Sequence, residues 1–284
     1  MPRLFRLLRP MAVACVVTTG FVLVWCLAAC RTHREPPNIE WFDGEPRGHS
    51  HNDYGRRVPL HEALRHGFCS VEADVFLRNG ALLVGHDEWM LHPSRTLESL
   101  YLDPLRERVH QNGGTVHGDG RTFLLLVDIK QRGEEVYAEL RRALAERREL
   151  LTTFSGTSVD AGAITVVLSG NRPITRVANE ATRLVAIDGR LADLDRNPPS
   201  SLVPLVSAPW TGTFAWDGRA EIPPNELSML RSLANRAKAQ GRMLRFWGAP
   251  DLPPAWAALR SAGVNWINTD RPGDFAAWDS KTSR

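Results

Sequence analysis

The feature that most constrains this chain is a rhythm. Apolar runs of six or seven residues alternate with amphipathic stretches: VEADVFL (71–77), FLLLVDI (123–129), AITVVLS (163–169), RLVAID (183–188), LVPLVSA (202–208), MLRFWG (243–248) and VNWINTD (264–270). Near-continuous apolar runs suit parallel strands covered on both faces. Between them, PLHEALRHG places Gly67 as a helix C-cap. In 134–150, Val136, Leu140 and Leu144 recur on one helical face. In 225–240, Asn225 is expected to cap a helix whose stripe is Leu227, Leu230 and Leu233, ended by Gly241. An initial strand near Arg47–His51 brings the count to eight. Strand then helix, repeated eight times in about 250 residues, predicts an α/β fold, a (β/α)8 TIM barrel in a single domain. An open doubly wound sheet is the alternative, but no glycine-rich phosphate loop supports it.

Composition narrows the function classes. With 43% apolar and 24% charged residues, collagen, coiled coil and bulk disorder are excluded. The 35 basic residues exceed the 32 acidic ones only through Arg3, Arg6 and Arg9. The remainder is balanced, so a nucleic-acid partner is not expected.

Those arginines open a basic start, an apolar run from Met11 to Leu27 and the ending Leu27-Ala28-Ala29-Cys30, the layout of a secretory signal. The ending looks like the lipobox of bacterial lipoproteins. The resulting expectation is a signal peptide over 1–29, lipidation at Cys30, a tether over 30–40 and a barrel domain over 41–284. The protein would then be an extracytoplasmic, membrane-anchored bacterial lipoprotein at the cell surface or in the periplasm. A lone N-terminal membrane helix is the plainer alternative. Cys69 would be the single free thiol, a buried packing residue with no disulfide framework around it.

Polar residues gather where a barrel would end its strands. The first strand finishes in GHSHNDY, with His49, His51, Asn52 and Asp53. Glu72 and Asp74 stand two apart, on one face of the second strand. After the turn Arg78-Asn79-Gly80, the returning LLVGHD delivers His86 and Asp87. The third long strand ends in Asp128, with Lys130 beyond it. Two inward carboxylates repel and lose hydration unless a cation lies between them. A hard divalent ion, Ca²⁺ or Mg²⁺, held by Asn52, Glu72, Asp74 and Asp128 is the expected cofactor. His51 and His86 are then candidates for acid–base work. His49 is either a ligand-facing group or a support for His51. His61 and His66 on the first helix read as surface or packing residues, and His92, His110 and His117 as solvated. All nine histidines fall at or before His117, so an amidohydrolase-like centre, which takes histidines from the second half of a barrel, does not fit.

These motifs resemble the superfamily of phosphatidylinositol-specific phospholipases C and glycerophosphodiester phosphodiesterases. More narrowly, HSHNDY, SVEADV, VGH and RTLESLYLDPL, in that order, are similar to an uncharacterised branch that includes the fungal "altered inheritance of mitochondria" protein 6. Weaker matches follow in LRFWGAPD (244–251) and INTD (267–270). The resemblance implies a barrel, with His51 and His86 as catalytic acid and base and Asn52, Glu72 and Asp74 as metal ligands. Asp128-Ile129-Lys130 matches a Glu-x-Lys pattern with a shorter acid, and the His-Arg-Gly opening of glycerophosphodiesterases is absent. The expected activity is metal-dependent phosphodiester hydrolysis of a glycerophosphodiester or phospholipid-like substrate, by a monomer. Lys130, Arg245, Trp247 and His49 are the candidates for holding substrate or phosphate, with Arg172 and Arg190 behind them. Trp210, Trp216 and Trp247 suit either a sugar face or packing. An inactive barrel that binds a glycan or a phosphate-bearing ligand is the alternative function.

Overall fold

The computed structural model describes residues 47–282 of the chain. Residues 1–29, Cys30 and the 30–40 tether lie outside the described residues. Eight strands, β1 Arg47–Ser50, β2 Ser70–Arg78, β3 Phe123–Ile129, β4 Ile164–Gly170, β5 Val185–Gly189, β6 Leu205–Pro209, β7 Met243–Trp247 and β8 Trp266–Thr269, follow one another around a closed parallel sheet. β8 returns to β1 in the register Arg47↔Trp266, and β1 meets β2 at Ser50↔Val71. That closure removes the open doubly wound alternative.

One helix follows each strand: α1 His61–Arg65, α2 Asp103–Gln111, α3 Gly133–Ala145, α4 Ile174–Asn179, α5 Leu191–Arg196, α6 Pro224–Ala239, α7 Pro253–Ser261 and α8 Pro272–Thr282. In α3, Val136, Leu140 and Leu144 are all buried, as their spacing requires. The apolar stripe of α6 is narrower than expected. Leu230, Ala234 and Ala237 are buried, whereas Leu227 and Leu233 are only partly covered. Its start also differs, because Pro223 takes the cap position, Pro224 opens the helix, and no side chain caps it. A proline at the first helical position has no N–H to satisfy, so a capping side chain is dispensable.

Two departures from the bare barrel matter for the mouth. After β2 the chain turns at Asn79 and Gly80, both at positive φ, and runs back antiparallel over Ala81–Val84 with Val84 opposite Val75. Two left-handed residues are what a tight hairpin needs. The return carries His86 to the rim. After β6, Trp210, Phe214 and Phe246 pack ring against ring at 4.4–5.8 Å. A small antiparallel sheet of Thr153–Ser155, Ser158–Asp160 and Thr182–Arg183 flanks the barrel.

Strand register decides which side chains share the interior. Asp74 is level with Asp128, Asp128 with Ser169, Ser207 with Arg245, and His49 with Asn268. Arg245 on β7 reaches Glu72 on β2, three strands away around the ring, so this shared face points inward. Each of the eight strands therefore contributes an inward polar residue near its C-terminal end. Leu126, Val167, Ala186, Leu205, Met243 and Trp266, each two residues earlier on its strand, fill the barrel in the manner of a packed core.

Candidate active site

Asp74 and Asp128 stand side by side on β2 and β3, and Glu72 lies one inward position below Asp74. One carboxylate oxygen from each of the three lies within 4.8 Å of the others. The carboxylates are not left bare. Glu72 accepts from the Arg245 guanidinium at 2.9 Å, and the Lys130 ammonium sits 2.7 Å from Asp74 and 2.8 Å from Asp128. Burial alone would raise the Glu72 carboxyl, but the Arg245 charge and the His49 hydrogen bond outweigh it and hold the group well below the usual range. Asp74 moves the other way, pushed up by burial and the Glu72 charge against the pull of Lys130. Three acids thus face two cationic side chains. Asp74 Oδ1 and Asp128 Oδ1 are buried and have no hydrogen-bond partner among the described residues. Such orphaned oxygens are costly unless something positive meets them. Hard oxygen donors at this spacing suit a divalent cation.

Asn52, two residues beyond the end of β1, takes the left-handed region (φ 48°), which turns its amide toward this cluster. The Tyr54 hydroxyl lies 2.5 Å from Asn52 Oδ1, 2.6 Å from Asp74 Oδ2 and 3.1 Å from His86 Nδ1. It has one proton to give, so Asn52 Oδ1 and Asp74 Oδ2 compete for it, while its oxygen can accept from His86 Nδ1. His86 Nδ1 is also 3.0 Å from Asp74 Oδ2, and His51 Nδ1 is 3.1 Å from Asp270 Oδ1. Each imidazole therefore has a carboxylate behind Nδ1; at His86 it favours the proton there and leaves Nε2 outward, while at His51 the Asn52 Nδ2 lies 3.1 Å from the same Nδ1. Burial tends to raise Asp270, but the hydrogen bond and charge of His51 prevail and lower it. Arg56 steadies the same corner, donating to the His51 carbonyl at 3.0 Å. Beside it, Asn52, Tyr54, Gly85, His86, Met90 and Arg95 line a cavity of about 420 Å³.

Some expected residues sit elsewhere or do something different. His49 is fully buried, with Nδ1 2.6 Å from the Ser70 hydroxyl and Nε2 3.4 Å from Glu72. Both ring nitrogens are spent beneath the acid cluster, so it does not hold phosphate, and it supports Glu72 rather than His51. Burial and the neighbouring Arg245 charge lower its pKa to about 4, which makes it a neutral hydrogen-bonding strut. Arg245 is buried against Glu72 and Asn268, with Nη1 left unpartnered. Arg190 is tied to Asp188 at 2.9 Å, and Arg172 donates to the Gly170 carbonyl. Trp210 and Trp216 are buried packing residues, the Trp210 Nε1–H donating to the Trp216 carbonyl, while Trp247 is 44% exposed at the mouth. His117 is not simply solvated: its Nε2 bonds the Phe68 carbonyl at 2.9 Å. Asp53 is structural, since Ser50, the Leu60 amide and Tyr101 all donate to its buried carboxylate.

Sequence reasoning passed over Tyr54, Ser70, Asn268 and Asp270. Tyr54 carried no periodic signal. Asn268 and Asp270 did, because they close an apolar run with polar residues just as Glu72 and Asp74 interrupt one.

Residues 45–188 match the family described as "AIM6-like phosphodiesterase domain". Similar proteins include an "Altered inheritance of mitochondria protein 6 homolog" of Arthroderma benhamiae, 32% identical over 78% of this chain and 80% of its own length. An "Altered inheritance of mitochondria protein 6" of Kluyveromyces lactis is 30% identical over 81% of this chain and 71% of its own. Among solved structures, a glycerophosphodiester phosphodiesterase from Agrobacterium tumefaciens matches with a TM-score of 0.47 and 16% identity, over 83% of this chain and 99% of that one. At that likeness it bears on neither substrate nor chemistry. The curated relatives are fungal, hence eukaryotic, and this overturns the expectation of a bacterial lipoprotein at a cell surface or in a periplasm.

Proposed function

Because the chain belongs to the AIM6-like phosphodiesterase domain family, we propose that it is a metal-dependent phosphoric diester hydrolase working through two histidines. The observation that carries this reading is the acid cluster with its orphaned oxygens, flanked by two carboxylate-backed imidazoles. Asn52, Glu72, Asp74 and Asp128 would hold a Ca²⁺ or Mg²⁺ ion, whose chemistry is Lewis-acid neutralisation of charge on the nonbridging phosphoryl oxygens.

The chain's own groups supply the rest. One of His51 and His86 takes the proton of the attacking hydroxyl on Nε2 while the other, protonated, gives a proton to the departing oxygen. Asp270 and Asp74 stabilise each imidazolium as it forms. Tyr54 fixes the rotamers of Asn52 and His86 around Asp74. Arg245 and His49, buried beneath, keep Glu72 ionised and in place. The substrate class is a phosphodiester of the glycerophosphodiester or phospholipid type, and the nucleophile is water or a hydroxyl of the substrate beside the phosphate.

The test is release of phosphomonoester or cyclic phosphate from a diester panel with added Ca²⁺ or Mg²⁺, for the native protein, His51→Ala and His86→Ala. Activity that survives chelation, or that is equal in all three proteins, overturns the mechanism. Both histidines lie at the mouth, 23% and 55% exposed at the side chain, so the variants should fold.

A further inference from the structure

Four arginines are buried among the described residues, and the charge of three is accounted for. Arg245 meets Glu72 at 2.9 Å, and Arg147 meets Asp103 at 2.6 Å. Arg242 meets no carboxylate, but its three nitrogens donate to the side-chain oxygens of Gln240 and Asn197 and the carbonyls of Val203 and Pro198. Arg183, 4% exposed, has neither arrangement. Its one hydrogen bond to protein runs from Nη2 to the Ser201 carbonyl at 2.8 Å, and its buried Nε has no partner among the described residues. A buried cation left this way is costly unless an anion from outside completes it.

Arg183 lies two residues ahead of β5, opposite Phe154 in the small antiparallel sheet, with its guanidinium 5.2 Å from the centre of that ring. It lines a cavity of about 360 Å³ whose wall also holds Arg141, Arg142 and Arg148. Arg142 is held by Glu139 and Glu146, and Arg141 by Glu180 at 3.3 Å. Glu180 is the one acid of the wall, and it also accepts from the Tyr137 hydroxyl at 2.8 Å. Arg148, exposed, pairs with no carboxylate among the described residues. Because α3 starts beside Lys130 at the mouth and runs down the outside of the barrel, the cavity lies toward the end opposite the acid cluster.

The wall specifies the charge and shape of a ligand. Arg148 and Arg183 are two guanidiniums without a carboxylate, so they call for a dianion rather than a single negative charge. A carboxylate brings one charge on two coplanar oxygens. A phosphate monoester is close to a dianion near neutral pH, and its tetrahedral oxygens can meet donors that arrive from different elements. Ala138, Ala145 and Leu184 offer an apolar strip to the organic part. The cavity is of small-molecule size.

We propose that the pocket lined by Arg141, Arg148 and Arg183 is a second site, outside the barrel mouth, that binds the dianion of a small phosphate monoester. Phe154 and Ser201 hold Arg183 in place before any ligand arrives, so little ordering is needed at that donor. Arg148 supplies the second charge, and Arg141 shares itself between Glu180 and the ligand. The site stands whether or not the chain cleaves phosphodiesters.

The experiment is a calorimetric titration of the protein with glycerol 3-phosphate in the presence of EDTA, with glycerol and acetate as control ligands. The native protein is compared with Arg148→Gln, Arg183→Gln and, as a control at the mouth, Lys130→Gln. The native protein should take up the phosphate ester and neither control ligand. Arg148→Gln should weaken that binding by roughly tenfold and Arg183→Gln by tenfold or more, because each removes a charge-assisted hydrogen bond. Lys130→Gln should leave it unchanged. Glycerol 3-phosphate should also raise the Tm of the native protein and of Lys130→Gln, but not that of Arg183→Gln. Arg148 gives up no bond to protein when shortened, so its variant stays informative even if Arg183→Gln fails to fold. No uptake, uptake that Arg148→Gln leaves unmoved, or uptake that Lys130→Gln abolishes overturns the site. Equal uptake of acetate overturns the assignment to a phosphate monoester.

Discussion

The two halves of this barrel are built alike and furnished differently. Strands β1 to β3, with the hairpin return, bring two imidazoles, an amide and three carboxylates to the mouth. Strands β4 to β8 bring Ser169, Asp188, Ser207, Arg245 and Asn268, in which the one acid is bound to Arg190. The first half can move protons and hold a cation; the second can mainly hold and orient. Charge crosses between them at Arg245, which spans the interior to Glu72. A closed ring makes this possible, because strands distant in sequence face one another across a single side-chain layer.

The largest effects should fall on the first half. His51→Ala and His86→Ala should each lower kcat/KM by about 10²–10⁴. Ser169→Ala should cost far less, and an equal loss in a diester assay would break the division of labour. Next comes the crossing point. Arg245→Ala leaves Glu72 buried without its cation and should destabilise the fold by about 3–5 kcal/mol, measured by denaturant unfolding. The Arg245→Met/Glu72→Met double variant should recover most of that loss, because removing both charges also removes their desolvation cost.

Packing separates two tryptophans of the second half. Trp210→Ala should cost about 3–5 kcal/mol, as its ring is enclosed by Phe214 and Phe246. In the first half, Asp53→Ala strands the donors of Ser50, Leu60 and Tyr101 and should cost about 1–3 kcal/mol. Trp247→Ala, at the exposed rim, should change stability by no more than about 0.5 kcal/mol. A large thermal shift there would mean that the ring belongs to the core.

Much of the architecture was legible because periodicity is local. Val136, Leu140 and Leu144 announce the buried face of α3, and Asn79-Gly80 announces its hairpin. The Glu72-x-Asp74 pair announces an inward acid pair, since alternation along one strand needs no partner. Contacts across the ring were not legible. Arg245 read as a phosphate ligand until its partner Glu72, 173 residues away, was in view. His49 likewise read as a companion of His51, its neighbour in sequence, whereas its ring lies under Glu72.

The sequence by itself determined the eight-fold alternation, the strand that carries each acid, and the confinement of histidine to the first half, all consequences of side-chain order along one segment. Tertiary structure alone decided which carboxylate meets Arg245 and which meets Lys130, that Trp210 is core and Trp247 rim, and that Asp270 stands behind His51. Those outcomes depend on barrel closure and strand stagger, which bring into contact groups whose positions along the chain carry no information about one another.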